Sequence, residues 1–466
     1  MEYLIRFVQQ HETFRKPEVE ALAELLKIKF RWVSYSDDTP FAIIDFEDTE
    51  NPTKAARDLV SRSILVSKMY ELWGRGTDFD SLHADIRNRT EHIWPDYQAS
   101  TFRFEFDSYH GTHPNDEKWR LIESFSYMKF TGRIVMSRPE NQFIVFEDYK
   151  LDAPKPHNVF FGREVAEGGR KAMNKYNVKK RHYIATTSMD AELSLVTANM
   201  ALSAPGTIAY DPFMGTGSFP VSCAHFGAAV FGSDLDGRSI RGKKGRNVAS
   251  NFKQYGTSDL YLGGVTADLT NSPICSGRFL DAIVCDPPYG VREGLKVLGH
   301  VKEKLQQEVI LSNGVPAHLQ SDYVPPKKPY SFVRMLDDIL DFSAIRLVDG
   351  GRLCMWMPVA GAKEDPEATP EGLEEPAKEE PEAEEYAIPQ HPALALVAES
   401  KQHFNKWSRR LITYRRLQDS EISQEALTAY GMQRLELQAS NQTGETTRAN
   451  DLNDFRKKYF EGFKNP

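Results

Sequence analysis

Asp286 ends an apolar run and is followed by two prolines and a tyrosine, in DAIVCDPPYG. The prolines keep the backbone extended and its carbonyls free. The Asp286 carboxylate and the Pro287 carbonyl can then accept both hydrogens of an exocyclic amine and turn its nitrogen lone pair toward an electrophile. Tyr289 adds an aromatic face on which a flipped-out base would stack, a contact of about 1–3 kcal/mol. A double proline is also an ordinary strand stop, so the motif gains its weight from what precedes it.

What precedes it is TIAYDPFMGTGSFPVSCAHFG: an apolar strand, Asp211, and a turn with Gly215 and Gly217 that opens a helix of small residues. In a doubly wound sheet this corner forms the ligand crevice at the strand's carboxyl end. The glycines let backbone approach a ligand closely, and the helix start offers free N–H groups to a carboxylate. Asp211 is placed for a cationic end of the same ligand. Neither GxGxxG nor Gly-Lys-Ser/Thr occurs in this turn, which argues against dinucleotide and P-loop readings. Seventeen residues after Gly217, AVFGSD ends in Asp234, at the distance where such folds use an acid to hold a ribose diol. Asp268, in GGVTADLT, follows a third strand and could accept from an adenine amino group.

These motifs need a sheet. From about 183 to 420 apolar strands (TIAYD, AVFGSD, DAIVCD, RLCMWMPV, ITYRRL) alternate with helix-length stretches, which predicts a mostly parallel, helix-covered sheet. Residues 1–150 read as α+β, with strands YLIRFV, FRWVSY, FAIIDF, SFSYMKF and QFIVFED and helical stretches KPEVEALAELLKI and PTKAARDLVSRSILVSKMYELW. Residues 151–182 read as a basic linker in which Arg163, Arg170, Lys171, Lys175, Lys179, Lys180 and Arg181 outnumber two glutamates, a candidate phosphate-binding stretch. Residues 421–466 read as a polar tail.

Length, 466 residues, favours more than one domain. The net charge of −8 taken over the whole chain opposes nucleic acid, but Lys363 to Glu385 holds eleven acidic and two basic residues, a net −9, leaving +1 for the rest. That segment is predicted to be a disordered acidic insertion. Four cysteines without CxxC or Cys/His spacing argue against a disulfide framework and a zinc site, so no metal is expected. No signal-like N-terminus and no run of about 18 apolar residues is present, so a cytoplasmic protein without a membrane span is expected.

With these motifs in order, the sequence resembles class I amino-methylating methyltransferases, and specifically the catalytic subunit of the eukaryotic and archaeal tRNA guanosine-10 N2-methyltransferases. The resemblance runs from Met1 to about Arg416 through FFGR, KKRHYIATTSMDAELSLVTANMAL, DPFMGTGSF, GSDLDGRSIRG, DPPYGVRE and HPALALVAESKQHFNKWSRRLITY. It implies an α/β, Rossmann-like class I methyltransferase domain with a mostly parallel seven-stranded sheet, preceded by a ferredoxin-like plus THUMP domain that grips tRNA. It further implies S-adenosylmethionine as cofactor, lined by Asp211, Gly215, Gly217, Asp234 and Asp268, with Phe213 inside the same turn counted among them. Asp286, Pro287 and Tyr289 would work on the guanine amine, and Thr187, Ser188 and Asp190 would pack beside the cofactor. Eukaryotic members resemble obligate heterodimers with a small zinc-binding activator subunit. The stretch from Leu295 to Lys328 departs from the compact archaeal pattern.

Two other readings stay open on the residues alone. DPPY-type motifs also serve adenine N6 of DNA and protein glutamine N5. An RNA-binding scaffold with a dead methyltransferase domain is the other, against which the intact glycines, Asp234 and DPPY speak.

Overall fold

The structure is a computed structural model that describes residues 1–291, 294–299, 310–320, 323, 325–359, 387–404 and 407–440. The acidic insertion at 363–385 and the end of the expected tail lie outside the described residues. The chain divides into two compact units, Met1–Ala172 and Met173–Pro466.

The first unit is one seven-stranded sheet: β1 (Glu2–Phe7), β2 (Lys29–Ser34), β3 (Phe41–Glu47), β4 (Val66–Gly76), β5 (Phe102–Tyr109), β6 (Asn141–Asp148) and β7 (Asn158–Glu167), in the order β2-β3-β1-β4-β7-β6-β5. Helices α1 (Glu12–Leu26), α2 (Pro52–Val60), α3 (Phe79–Thr90) and α4 (Asn115–Glu123) belong to it. Three expectations are corrected here. The stretch 52–73 is half helix, half strand: α2 stops at Val60 and β4 begins at Val66. The turn between them is fixed by the buried Glu18 carboxylate, which accepts from the Ser63 hydroxyl and from the Ile64 and Leu65 N–H groups at 2.7–2.9 Å. SFSYMKF is no strand but a 3-10 helix over Ser124–Met128. Its i, i+3 spacing puts Phe125 and Met128 on one face, both buried in an aromatic core with Trp73, Phe143 and Phe161.

The third correction concerns the linker at 151–182. Asn158–Glu167 is the strand β7, paired antiparallel with both β4 and β6 in the middle of the sheet. Val159, Phe160 and Phe161 are buried there, and Gly162 lies so close to Tyr70 that a Cβ would meet its side chain at 2.9 Å. Packing outweighs the charged flanks that suggested a linker.

The second unit has β8 (Ile208–Asp211), β9 (Ala229–Asp234), β10 (Tyr261–Thr266), β11 (Leu280–Cys285), a small ribbon β12 (Lys296–Leu298) and β13 (Lys327–Pro329), then β14 (Leu347–Val359), β15 (Leu394–His403) and β16 (Ser408–Arg416). Its main sheet has the order β10-β9-β8-β11-β14-β16-β15. Its first five strands run parallel, while β16 is antiparallel to both β14 and β15. This is the mostly parallel seven-stranded sheet expected of the α/β half. The helices are α5 (Lys171–Tyr176), which begins in the last two residues of the first unit, α6 (Ala191–Met200), α7 (Ser218–His225), α8 (Gly237–Arg241), α9 (Val248–Tyr255), α10 (Phe332–Arg346) and α11 (Gln424–Ser440). The last was expected as tail. Arg434 of α11 ties it to Asp337, Asp338 and Asp341 of α10 at 2.8–3.0 Å, and Tyr430 donates to Asp341. Among the described residues no helix is long and apolar enough to cross a membrane.

Candidate active site

Strand order reverses beside β8: the chain runs outward through β9 and β10, then returns to the other side of β8 with β11 and β14. In open parallel sheets ligands bind beyond the carboxyl ends of the strands flanking such a reversal. Asp211 ends β8 and Asp286 follows β11 directly, so the two motifs singled out in the sequence open onto one crevice.

The turn after Asp211 is shaped by its glycines. Gly215 and Gly217 have φ of 51° and 84°, and a Cβ on Gly217 would meet Val248 at 3.0 Å. Gly217 caps α7, and its N–H reaches back to the Met214 carbonyl at 2.8 Å. Asp234, at the end of β9, accepts from the Gly215 N–H at 2.8 Å and the Asp236 N–H at 2.7 Å, one on each oxygen. Each oxygen keeps a lone pair for a further donor such as a ribose hydroxyl. Asp211 accepts from the Phe213 N–H at 2.9 Å and is otherwise buried.

The electrostatics of this corner are those of an acidic crevice. Burial, and then the neighbouring carboxylates of Asp234 and Asp286, hold the Asp211 carboxyl well above the usual range. Burial likewise raises Asp234. A ligand bringing positive charge relieves this repulsion, and one bringing a carboxylate finds the opening N–H groups of α7. The residues present therefore fit an amino-acid-bearing cation.

On the acceptor side, Tyr289 does not stand free as a stacking face. Its hydroxyl donates to Asp286 Oδ1, and its ring packs near Trp407 with centroids 6.2 Å apart. Pro287 is buried beside it. Asp286 Oδ2 lies 3.8 Å from Arg409 Nη1. Burial raises the Asp286 carboxyl, and Arg409 and the Tyr289 hydroxyl oppose that shift. The sequence assigns no role to Arg409, although WSRRLITY lies within a stretch that carries the family resemblance; a partner two strands away leaves no local signal.

The remaining cofactor candidates separate. Ser188 contacts the glycine turn through a 2.9 Å hydrogen bond with Thr216. Thr187 is exposed, and Asp190 caps α6 by accepting from the Leu193 N–H. Asp268 is committed to structure: Oδ1 accepts from the Thr270 N–H and hydroxyl, and Oδ2 from the Leu298 N–H at 2.6 Å. An adenine amine would have to share it with the β12–β13 ribbon.

The basic candidates also split. Arg163 and Arg181 are corrected as phosphate contacts because both are committed to partners inside the protein, Arg181 buried and Arg163 half-buried. Arg163 forms a two-pronged pair with Glu71 at 2.7 and 2.9 Å, and Arg181 donates to the Ser218 hydroxyl at 2.9 Å. Arg170 donates to the Ile64 carbonyl at 2.9 Å and is half-buried. Lys171, Lys175, Lys179 and Lys180 are exposed. Among the described residues no group of three or more His, Cys, Asp or Glu is arranged to hold a metal.

Comparison with known proteins gives two domain matches, to the Tmrp11 THUMP N-terminal domain over residues 1–170 and to the RMKL-like methyltransferase domain over residues 179–309. A solved structure of TrmN from Thermus thermophilus aligns with a TM-score of 0.41 at 16% identity, covering 90% of this chain and 100% of that one. The Schizosaccharomyces pombe protein named tRNA (guanine(10)-N(2))-methyltransferase is 36% identical over 451 residues, 89% of each chain. The Homo sapiens protein named tRNA (guanine(10)-N(2))-methyltransferase TRMT11 is 33% identical over 485 residues, 99% of this chain and 95% of that one. The Saccharomyces cerevisiae protein of the same enzyme name is 42% identical over 423 residues, 88% of this chain and 92% of that one. Identity at this level along nearly the whole of both chains makes this chain a member of the tRNA (guanine(10)-N(2))-methyltransferase family.

Proposed function

We propose that the protein transfers a methyl group from S-adenosylmethionine to the exocyclic N2 of guanosine 10 in tRNA, in the cytoplasm and as a heterodimer with a small zinc-binding activator subunit. What carries the reading is the shared crevice of Asp286 and the Asp211 glycine turn, in a chain whose full-length relatives bear this enzyme name. The cofactor, when bound, supplies an electrophilic methyl group on a sulfonium. Asp234 holds the ribose diol, and the start of α7 receives the methionine carboxylate. Asp286, with the Pro287 carbonyl, accepts the amine hydrogens and directs the N2 lone pair at the methyl carbon. Asp286 would then take the proton that N2 must give up on being methylated. Phe213 and Ser188 flank the cofactor turn, and Thr187 and Asp190 lie beside it.

The THUMP-matched unit and the exposed Lys171, Lys175, Lys179 and Lys180 hold tRNA phosphates. The activator covers an edge of the methyltransferase sheet; Leu262 and Val265 on β10, and Leu396 and Val397 on β15, are exposed along its two edge strands. The test is methyl transfer from labelled S-adenosylmethionine to unmodified tRNA, with and without the activator, followed by mapping of the product. N2-methylguanosine at position 10, dependent on the activator, is expected. Methylation elsewhere, or none when cofactor and tRNA both bind, overturns the reading.

Charge in the crevice gives a second expectation. The Asp211 carboxyl is raised in the free protein, so a cationic ligand lowers it and drives a proton off. Binding of S-adenosylmethionine should release protons and tighten as pH rises out of the ordinary carboxylate range. S-adenosylhomocysteine, which lacks the sulfonium charge, should release fewer. Calorimetry in two buffers of different ionisation enthalpy measures this, and equal heats in both would remove Asp211 from the cofactor's charged end.

A further inference from the structure

We propose that Arg409 is a positioning residue for the methyl acceptor: clamped across the end of β14, its guanidinium holds the Asp286 carboxylate turned to receive the guanine amine. The inference rests on the function proposed above and adds a residue that the sequence motifs do not contain.

Arg409 lies on β16, opposite Pro358 of β14 and opposite Gln402 of β15. From there it must reach past β14 to meet the loop that follows β11. Three groups hold it on that path. Its Nε donates to Gln402 Oε1 at 2.7 Å, and its Cζ sits 4.7 Å from the Trp356 ring centroid and 5.4 Å from that of Phe404. Trp356 is itself fixed, fully buried on β14 with its indole N–H donated to the Thr197 hydroxyl of α6 at 3.2 Å. The Arg409 side chain is 13% exposed. A guanidinium held between a side-chain amide and two aromatic faces is ordered before substrate arrives, so its charge is fixed in direction.

The 3.8 Å separation from Asp286 matters because it is an ion pair without a hydrogen bond. Oδ2 gains the field of a nearby cation while its lone pairs stay open. The other oxygen, Oδ1, takes the Tyr289 hydroxyl. The carboxylate is thus braced from two sides, with acceptor capacity left over for an amine.

The charged and titratable groups facing Asp286 are few. The Tyr289 hydroxyl and the Cys285 thiol come from its own strand and loop, the Asp211 carboxyl from β8, and Arg409 from β16. β14 and β15 contribute the uncharged Trp356 and Gln402. Among the described residues, Arg409 is the cation that opposes the effect of burial on Asp286. Without it a proton would occupy Asp286 over a wider pH range, and a protonated carboxyl offers a donor where the amine needs an acceptor.

The experiment compares Arg409→Gln and Arg409→Lys with the unaltered chain, each with its activator partner. Single-turnover methylation of tRNA is followed from acid to alkaline pH, alongside cofactor binding, tRNA binding and thermal unfolding. Activity requires the Asp286 carboxylate and so falls as pH drops through its pKa. In Arg409→Gln this acid limb should move up by about one pH unit or more, with roughly a tenfold loss or greater on the limb and partial recovery above it. Arg409→Lys should keep the limb close to its original place. A limb set by Asp211 stays put in both variants. An unmoved limb in Arg409→Gln, or a uniform loss that Arg409→Lys shares, overturns the proposal. If the unaltered chain methylates tRNA at another amine, the function proposed above fails while the Arg409 comparison is still read on that amine.

Discussion

Asp286→Asn should lower single-turnover methyl transfer by about two to three orders of magnitude, comparable to removing one preorganised electrostatic contact from an active site. The amide keeps the shape and can still take the Tyr289 hydroxyl, but it presents two donors of its own toward an amine that needs acceptors. It also removes the charge that Arg409 faces. The same substitution should leave the melting temperature unchanged or raise it. Burial raises the folded-state pKa of Asp286 above its unfolded value. A carboxyl so raised binds its proton more tightly in the folded chain, so its contribution to stability declines as pH rises through that pKa. At neutral pH the ionised group is held against its preference, and the neutral amide relieves that. Single-turnover kinetics and thermal unfolding on one preparation check both halves. A variant that loses activity and melts early in parallel would reduce Asp286 to a structural residue.

Arg163→Ala should destabilise the first unit by about 3–5 kcal/mol, the range for breaking a buried ion pair by removing one partner. Arg163 stands opposite Glu71 in the β4–β7 register and holds both carboxylate oxygens. Its third nitrogen donates to Asn141 of β6 at 3.2 Å, and its guanidinium lies 5.0 Å from the Tyr97 ring centroid. The truncated variant leaves Glu71, 9% exposed in its side chain, as a buried charge without that partner. Urea unfolding measures the loss. The salt dependence of tRNA binding, corrected to the folded fraction, should stay as it was, because a guanidinium committed to Glu71 reaches no phosphate. A reduced salt slope with unchanged stability would restore the phosphate-contact reading of Arg163.

The contrast between Arg163 and Asp286 shows where sequence reading succeeds. Asp211, Asp234 and Asp286 each end or follow an apolar strand, a signal written in neighbouring residues, and the strand order brings them to one crevice. The glycine turn was legible for the same reason. β7 was not, because its apolar Val159–Phe161 core sits among charged flanks and its identity as a central strand comes from β4 and β6 on either side. α11 was missed because its anchorage is ionic, through Arg434 to three aspartates of α10, and leaves no apolar stripe to read. Asp268 and Tyr289 were found by position, yet their hydrogen bonds to Leu298 and Asp286 depend on geometry that spacing does not encode. Residues that meet across strands, such as Arg409 and Asp286, become visible only when the sheet is assembled.

Joining β4 to β7 also sets how this chain can be cut and recombined. Strands from residues 2–76 and from residues 102–167 lie in one continuous ladder, with the later β7 inserted between the earlier β4 and β6. A chimaera that exchanges only the first 76 residues, or fuses at residue 150, would separate β4 from its native partner β7 and leave the β4 edge facing β7 without its matched strand, open to misassembly. The crossover compatible with this ladder falls after Glu167, so the first unit travels between proteins as one cassette.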